Sequence, residues 1–201
     1  GRILGLTGTP PRHTTSEKGK MVNMFCPIMF KYITDTAVED DILNDYKIMV
    51  HRMSLDSSSN VEVKLKNRDF WTSEAKNYAY WTSRIMEATT KKQEQIASIM
   101  RMKALMGFKT KEKYVRELLL EIDDKCIIFC NTQDQADRMC KHSYHSGNPD
   151  SEDNLENFRK GNIDYLSCVL QLNEGVNIPN LKVGIIMHAY GNERKASQRI
   201  G

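Results

Sequence analysis

Apolar and polar positions change rhythm several times along this chain. Residues 2–6 form a short apolar run that ends in Thr7-Gly8-Thr9-Pro10-Pro11, where two prolines stop any helix. Residues 13–20 are polar and loop-like. Residues 47–55 are apolar on both faces, and after a polar turn at 56–60, residues 61–66 alternate strictly. That pattern predicts two strands joined by the turn, the second exposed on one side. From about residue 70 to 122 the spacing becomes helical. Trp71, Tyr78, Trp81 and Ile85 fall near one face; Ile96, Ile99, Met100 and Met106 make a second stripe, and Val115, Leu118 and Leu119 a third. Aromatic residues at such spacing can stack on bases, but a core role is the expected one.

From residue 125 strands and helices alternate. Cys126-Ile127-Ile128-Phe129-Cys130 is a continuous apolar run, as expected of a strand buried on both faces. Thr132-Gln133-Asp134-Gln135 fits a capping box opening a helix. A second helix follows Tyr144-His145-Ser146-Gly147, with Leu155 and Phe158 inward and Gly161 as its stop. Then come a strand at 165–170, a loop at 173–180, a strand at 183–187 and a last helix around 193–200. This alternation predicts right-handed βαβ crossovers and a parallel sheet, an α/β fold. Leu119-Leu120-Glu121-Ile122-Asp123-Asp124 reads as a helix end plus turn.

Composition narrows the class. The 201 residues are 40% hydrophobic and 27% charged, a globular profile, with no stretch near the ~20 apolar residues that a membrane span needs. No signal peptide is expected at the start, and the lack of an initiating Met suggests an excised piece. A net charge of +3, well mixed, hardly argues for nucleic acid by itself. Five Cys, an odd number, argue against a disulfide framework and imply a reducing, intracellular (cytoplasmic) setting. Cys126 and Cys130 share a strand face but have no partner pair, so buried thiols are expected rather than a metal site.

Ligands of an open parallel sheet bind beyond the carboxyl ends of its strands. Three loops fall there: Thr7-Gly8-Thr9-Pro10, Asn131-Thr132, and Asn173-Glu174-Gly175-Val176-Asn177-Ile178-Pro179. At Asn131-Thr132, small polar groups and helix-start amides suit a phosphate. The segment Gly19-Lys20-Met21 fails the GxxxxGK(S/T) pattern. No GxGxxG follows any strand, which argues against a Rossmann-like enzyme. His13, His51, His142, His145 and His188 are scattered, and each is expected to be a surface or packing residue; no Ser-His-Asp arrangement is suggested.

The order of these segments resembles that of superfamily 2 helicases. Leu6-Thr7-Gly8-Thr9-Pro10 resembles motif III, Lys125-Cys126-Ile127-Ile128-Phe129-Cys130-Asn131-Thr132 motif IV, with His145-Ser146 after it. Residues 173–179 resemble motif V, and Ser197-Gln198-Arg199-Ile200-Gly201 the first half of motif VI. The form of motif V looks more like the translocases of DNA repair, restriction and phage systems than like RNA helicases of the DEAD-box type.

The resemblance implies a RecA-like parallel sheet flanked by helices, with a helical segment inserted before motif IV. It divides the chain into 1–11 (end of a first RecA-like domain), 12–46 (linker and lead-in), 47–124 (strand pair plus helical segment) and 125–201 (core of the second domain). It implies an ATP-driven motor using ATP and Mg2+, the metal held mainly by the first domain. Gly175, Asn177, Gln198 and Arg199 then contact nucleotide or face it; Asn131, Thr132 and Ser146 hold backbone phosphates; Thr7 and Thr9 couple ATP state to strand binding. The implied partners are nucleic acid, DNA in preference to RNA, and the first RecA-like domain, with no membrane. The family's Asp stands as Asn at 177, and its Thr-Thr pair as Cys168-Val169. Lacking the P-loop, the Asp-Glu pair and the arginine fingers, this chain alone is expected to be inactive. The alternative is a non-catalytic nucleic-acid or protein binding module on a helicase-like scaffold. A P-loop in the parent gene separates the two.

Overall fold

The computed structural model describes residues 11, 13–42, 45–64, 68–169 and 178–187. The chain forms two compact units, Gly1–Arg52 and Met53–Gly201. In the first, helix α1 (Glu17–Phe25) is capped by Ser16, whose Oγ accepts the Gly19 amide at 3.0 Å. Helix α2 (Thr34–Glu39) follows. Among the described residues of this unit only Gly19 and Ala37 are buried, while Met24, Phe25, Met29 and Phe30 are exposed.

The second unit opens with an antiparallel pair, β1 (Val61–Lys64) and β2 (Asp69–Thr72), Val61 opposite Thr72. This corrects two expectations. Residues 47–55 form no strand: their apolar side chains do not alternate, and Ile48, Met49 and Val50 stay exposed. The partner of β1 is instead Asp69-Phe70-Trp71-Thr72, at the edge of the stretch expected to be helical. Its aromatic and β-branched residues suit a pleated surface.

Helices α3 (Glu74–Met86), α4 (Lys91–Gly107) and α5 (Lys109–Leu119) come next. Thr90 and Gln93 form a complete capping box at the start of α4. Glu74 is fully buried. Its carboxylate accepts the amides of Asp56 (3.2 Å) and Thr110 (3.0 Å), tying the β1 approach to the start of α5. The third predicted stripe packs as expected: Val115 is buried, with Leu119 against the same core. The second stripe does not. Ile96 and Ile99 are 51% and 47% exposed, and α4 buries Ala97 instead. Helix α4 makes its main contacts with α3, so only a narrow face is covered, and the small residue occupies it. Trp71 is likewise exposed, against the expectation of a core role.

Among the described residues the larger sheet has four strands, all parallel, in the order β4-β5-β3-β6: β3 (Cys126–Cys130), β4 (Ser143–Tyr144), β5 (Tyr165–Val169) and β6 (Val183–Ile186). All five residues of β3 are buried, as the unbroken apolar run predicts for a central strand. Its side chains alternate between two cores. Cys126, Ile128 and Cys130 join Val115 of α5 and Ala136 and Met139 of α6 (Gln133–Met139). Ile127 and Phe129 join Leu155 and Phe158 of α7 (Ser151–Lys160). Helices therefore cover both faces, the α/β architecture expected. Gly161 closes α7 at φ 78°, in the left-handed region where a Cβ is unfavourable. Residues 119–124 are a helix end and turn, as read from sequence.

Candidate nucleic-acid interface

Strands β3 and β4 run parallel to the same neighbour, so the loops after them leave one edge of the sheet. Asn131-Thr132 follows β3 directly, and His145-Ser146-Gly147 follows β4. Asn131, Thr132 and Ser146 thus lie on loops at the same edge, with β5 between the two strands that carry them. Thr7, Thr9, Gly175, Asn177, Gln198 and Arg199 lie outside the described residues.

Thr132 is the N-cap of α6, its Oγ1 accepting the Gln135 amide at 3.2 Å. The capping box expected here is not closed in the usual way. Gln135 is buried, and its Oε1 accepts the amide of Asn131 at 3.1 Å, one residue before the cap. Its Nε2 donates to the carbonyl of Met106 (3.2 Å) and to Glu112 Oε1 (3.4 Å). One amide thus ties the loop after β3 to the end of α4 and the first turn of α5. Glu112 also takes both Nε (3.1 Å) and Nη2 (2.6 Å) of Arg138. Burial alone would push the Glu112 carboxyl up; the hydrogen bonds and charge of Arg138, helped by Gln135 and Arg116, outweigh it and hold the group below the usual range. Nothing in the local pattern around Glu112 marks this role.

The loop after β4 is built on a polar cluster in which His145 and Ser143 are buried and Asp137 is exposed. His145 is buried, with Nε2 2.9 Å from Asp137 Oδ1 and 3.2 Å from Ser143 Oγ. Ser143 Oγ donates to the same Asp137 oxygen at 2.6 Å. Proximity of Ser, His and Asp invites comparison with a hydrolytic triad, but the proton arrangement excludes one. His145 Nδ1 accepts the Gly147 amide at 3.2 Å, so Nε2 carries the hydrogen and donates to Asp137. The ring has no lone pair facing Ser143, whose own proton already belongs to Asp137. His145 is the packing residue expected. The two hydrogen bonds, from His145 first and Ser143 second, hold the Asp137 carboxyl below its ordinary range against a small opposing effect of burial. Ser151 completes the loop, its Oγ accepting the His145 amide at 3.0 Å and donating to the His145 carbonyl at 2.6 Å.

Ser146 and Gly147 are exposed at the tip of this loop. Gln133, the first residue of α6 and also exposed, donates from Nε2 to Ser146 Oγ at 3.1 Å. The two loops therefore meet through these side chains. Helix α6 has only seven residues, so hydroxyl and amide side chains, rather than a long helix dipole, are the main polar resource at this edge. Cys126 and Cys130 are buried in the core, and burial pushes the Cys126 thiol up to about 12. Among the described residues no three His, Cys, Asp or Glu are grouped to hold a metal, and no helix is long and apolar enough to cross a membrane.

Residues 110–201 match the family of the helicase conserved C-terminal domain. Across 98% of its length the chain is 24% identical to the DNA 3'-5' translocase XPB2 of Sulfurisphaera tokodaii, and the match covers 48% of that protein. The chain thus spans about half the length of the curated relative it matches. The helicase domain of Hef from Pyrococcus furiosus overlaps 61% of this chain and 31% of its own, at a TM-score of 0.38 and 16% identity.

Proposed function

We propose, on the premise that residues 110–201 are a superfamily 2 helicase C-terminal domain, that this chain is half of an ATP-dependent DNA translocase motor. The observation that carries the reading is the convergence of Asn131, Thr132 and Ser146 at one edge of a parallel sheet, where small polar groups can hold backbone phosphates. DNA rather than RNA is favoured because the relative spanning nearly the whole chain is a DNA translocase.

Gly175, Asn177, Gln198 and Arg199 supply a donor set of backbone, amide and guanidinium groups. Such a set suits the phosphates and sugar of ATP and offers no carboxylate to Mg2+. Their part is to bind and orient the nucleotide, and the metal falls to the first RecA-like domain. Bound ATP and Mg2+ supply the phosphoryl chemistry that drives the motor. Thr7 and Thr9 relay nucleotide state to the strand.

Two outcomes are expected. The 201-residue chain binds single-stranded DNA with an affinity that falls steeply as salt rises, and Ser146→Ala weakens that binding about tenfold at low salt, measured by fluorescence anisotropy. Ser146 is the residue to test, because Thr132→Ala would also remove a helix cap worth roughly 1 kcal/mol. Affinity that ignores both salt and the Ser146 substitution rejects the interface. The second outcome is kinetic: the chain alone turns over no ATP, since it has no GxxxxGK(S/T) segment. DNA-stimulated phosphate release by the purified chain would contradict the division of labour between the two halves.

A further inference from the structure

We propose that Gln135 is a positioning residue that couples the α3–α4 hairpin to the strand-holding loop after β3. One side-chain amide caps the end of α4 and fixes Asn131, so a strand bound at the loop also steadies the hairpin. The inference rests on the strand-binding reading above and adds a part for the helical segment, which that reading leaves without one.

The hairpin joins the rest of its unit at a junction that cannot cap itself. Helix α4 ends at Gly107 and α5 begins at Lys109, with Phe108 alone between them, extended and buried. The last carbonyls of a helix and its first amides find no partner inside the helix. Phe108 has no polar side chain to offer to either end. Both ends are capped from a distance instead. Glu74, at the start of α3, accepts the Thr110 amide in the first turn of α5 at 3.0 Å. Gln135, on α6, donates from Nε2 to the Met106 carbonyl in the last turn of α4 at 3.2 Å. Helix α4 packs mainly on α3, so its end is held to the sheet-bearing part of the unit largely at this junction.

The second link belongs to the same amide. Gln135 Oε1 accepts the Asn131 amide at 3.1 Å, and Nε2 also donates to Glu112 Oε1 at 3.4 Å. Gln135 is 1% exposed, so water cannot replace any of these bonds without opening the core. A carboxamide is a rigid plane. If its nitrogen follows a displaced Met106, its oxygen leaves Asn131 or takes the loop with it. The bonds therefore favour one joint placement of the α4 end and Asn131. By reciprocity, what holds Asn131 steadies the end of α4, and what displaces the hairpin loosens the loop.

The test cuts one link and keeps the other. In the double variant Gln135→Glu/Glu112→Gln, a carboxylate at 135 still accepts the Asn131 amide and a hydrogen from the amide at 112, but has none to give to Met106. Gln135→Met keeps the length of the side chain and loses both links. Hydrogen exchange of the Asn131 amide and of the amides in the last turn of α4 is followed by NMR in the full chain, well below each melting temperature. It is measured with and without an oligothymidylate of about 20 nucleotides. In the parent the oligonucleotide is expected to slow exchange about tenfold at both places. In the double variant the slowing should persist at Asn131 and vanish in α4, and Gln135→Met should lose it in α4 as well. Affinity, read by fluorescence anisotropy, should fall about fivefold in the double variant. Slowing in α4 that survives both substitutions would mean that the hairpin meets the strand directly, and the coupling is then wrong. Slowing at Asn131 with none in the parent's α4 rejects the coupling and spares the strand-binding reading. No slowing at Asn131 in the parent rejects both.

Discussion

Phe158→Ala is expected to remove about 3–5 kcal/mol of folding stability, the largest loss expected from a single substitution among the described residues. Phe158 is fully buried on α7, in the cluster formed with Ile127, Phe129, Leu155, Leu166 and Cys168. It is the main aromatic filler between α7 and that face of the sheet. Lys125 Nζ lies 4.9 Å from the ring centroid, adding a cation–π contact that alanine also deletes. The cavity cannot collapse easily, because the central strand is hydrogen-bonded on both sides by β5 and β6. In thermal denaturation the variant should melt roughly 10 °C or more below the parent. A drop of only a degree or two would mean that α7 does not clamp the sheet. The loop carrying Ser146 would then have lost its support, since Ser151 at the start of the same helix fixes the His145 backbone.

Removing the Glu112 side chain should be nearly as damaging, for a different reason. Glu112→Ala is expected to cost about 2–3 kcal/mol, because it leaves one hydrogen of the buried Gln135 Nε2 and the inner side of Arg138 without their acceptor. The figure stays below that of a fully buried pair because the Arg138 side chain is half exposed and can rehydrate. Glu112→Gln keeps the shape and should fall between the two. The same group gives a pH signature. Its carboxyl is held below the usual range in the folded chain, so the charged form favours folding. That contribution is complete above the ordinary glutamate value of about 4.3, and it is lost as pH falls through the depressed folded value. Urea midpoints of the parent should therefore drop across this acid range, and those of Glu112→Gln should drop less. Parallel curves for the two proteins would show that Glu112 is not the group responsible. A loosened α5–α6 contact should also reach the interface, because Gln135 links Glu112 to the amide of Asn131.

Much of the architecture is legible in local pattern because its cause is local. Five consecutive apolar residues at 126–130 demand a strand covered on both faces, and β3 is one. Leu155 and Phe158 lie three apart, so they share a helix face, and Gly161 meets the need for a left-handed residue at the helix end. Where periodicity misled, the neighbour was missing. Ile96 and Ile99 repeat like core residues, but α4 packs mainly against α3 and leaves them about half exposed. The 47–55 run has the composition of a strand, yet β1 pairs with 69–72.

By itself, then, the sequence determined the strands near 126–130, 165–169 and 183–186, the helix opened by Thr132 and the helix closed by Gly161, and so the place of Asn131 and Thr132 at a strand end. Periodicity, caps and chain breaks act over a few residues and are written in the chain. The tertiary structure alone decided which side chains hold those positions in place. Gln135 reaches Met106 and Glu112, His145 meets Asp137 and Ser143, and Gln133 meets Ser146 across two loops. Such partners are chosen by distance after folding, when a buried donor or acceptor must find whatever group the packing has brought near, and no local period records that choice.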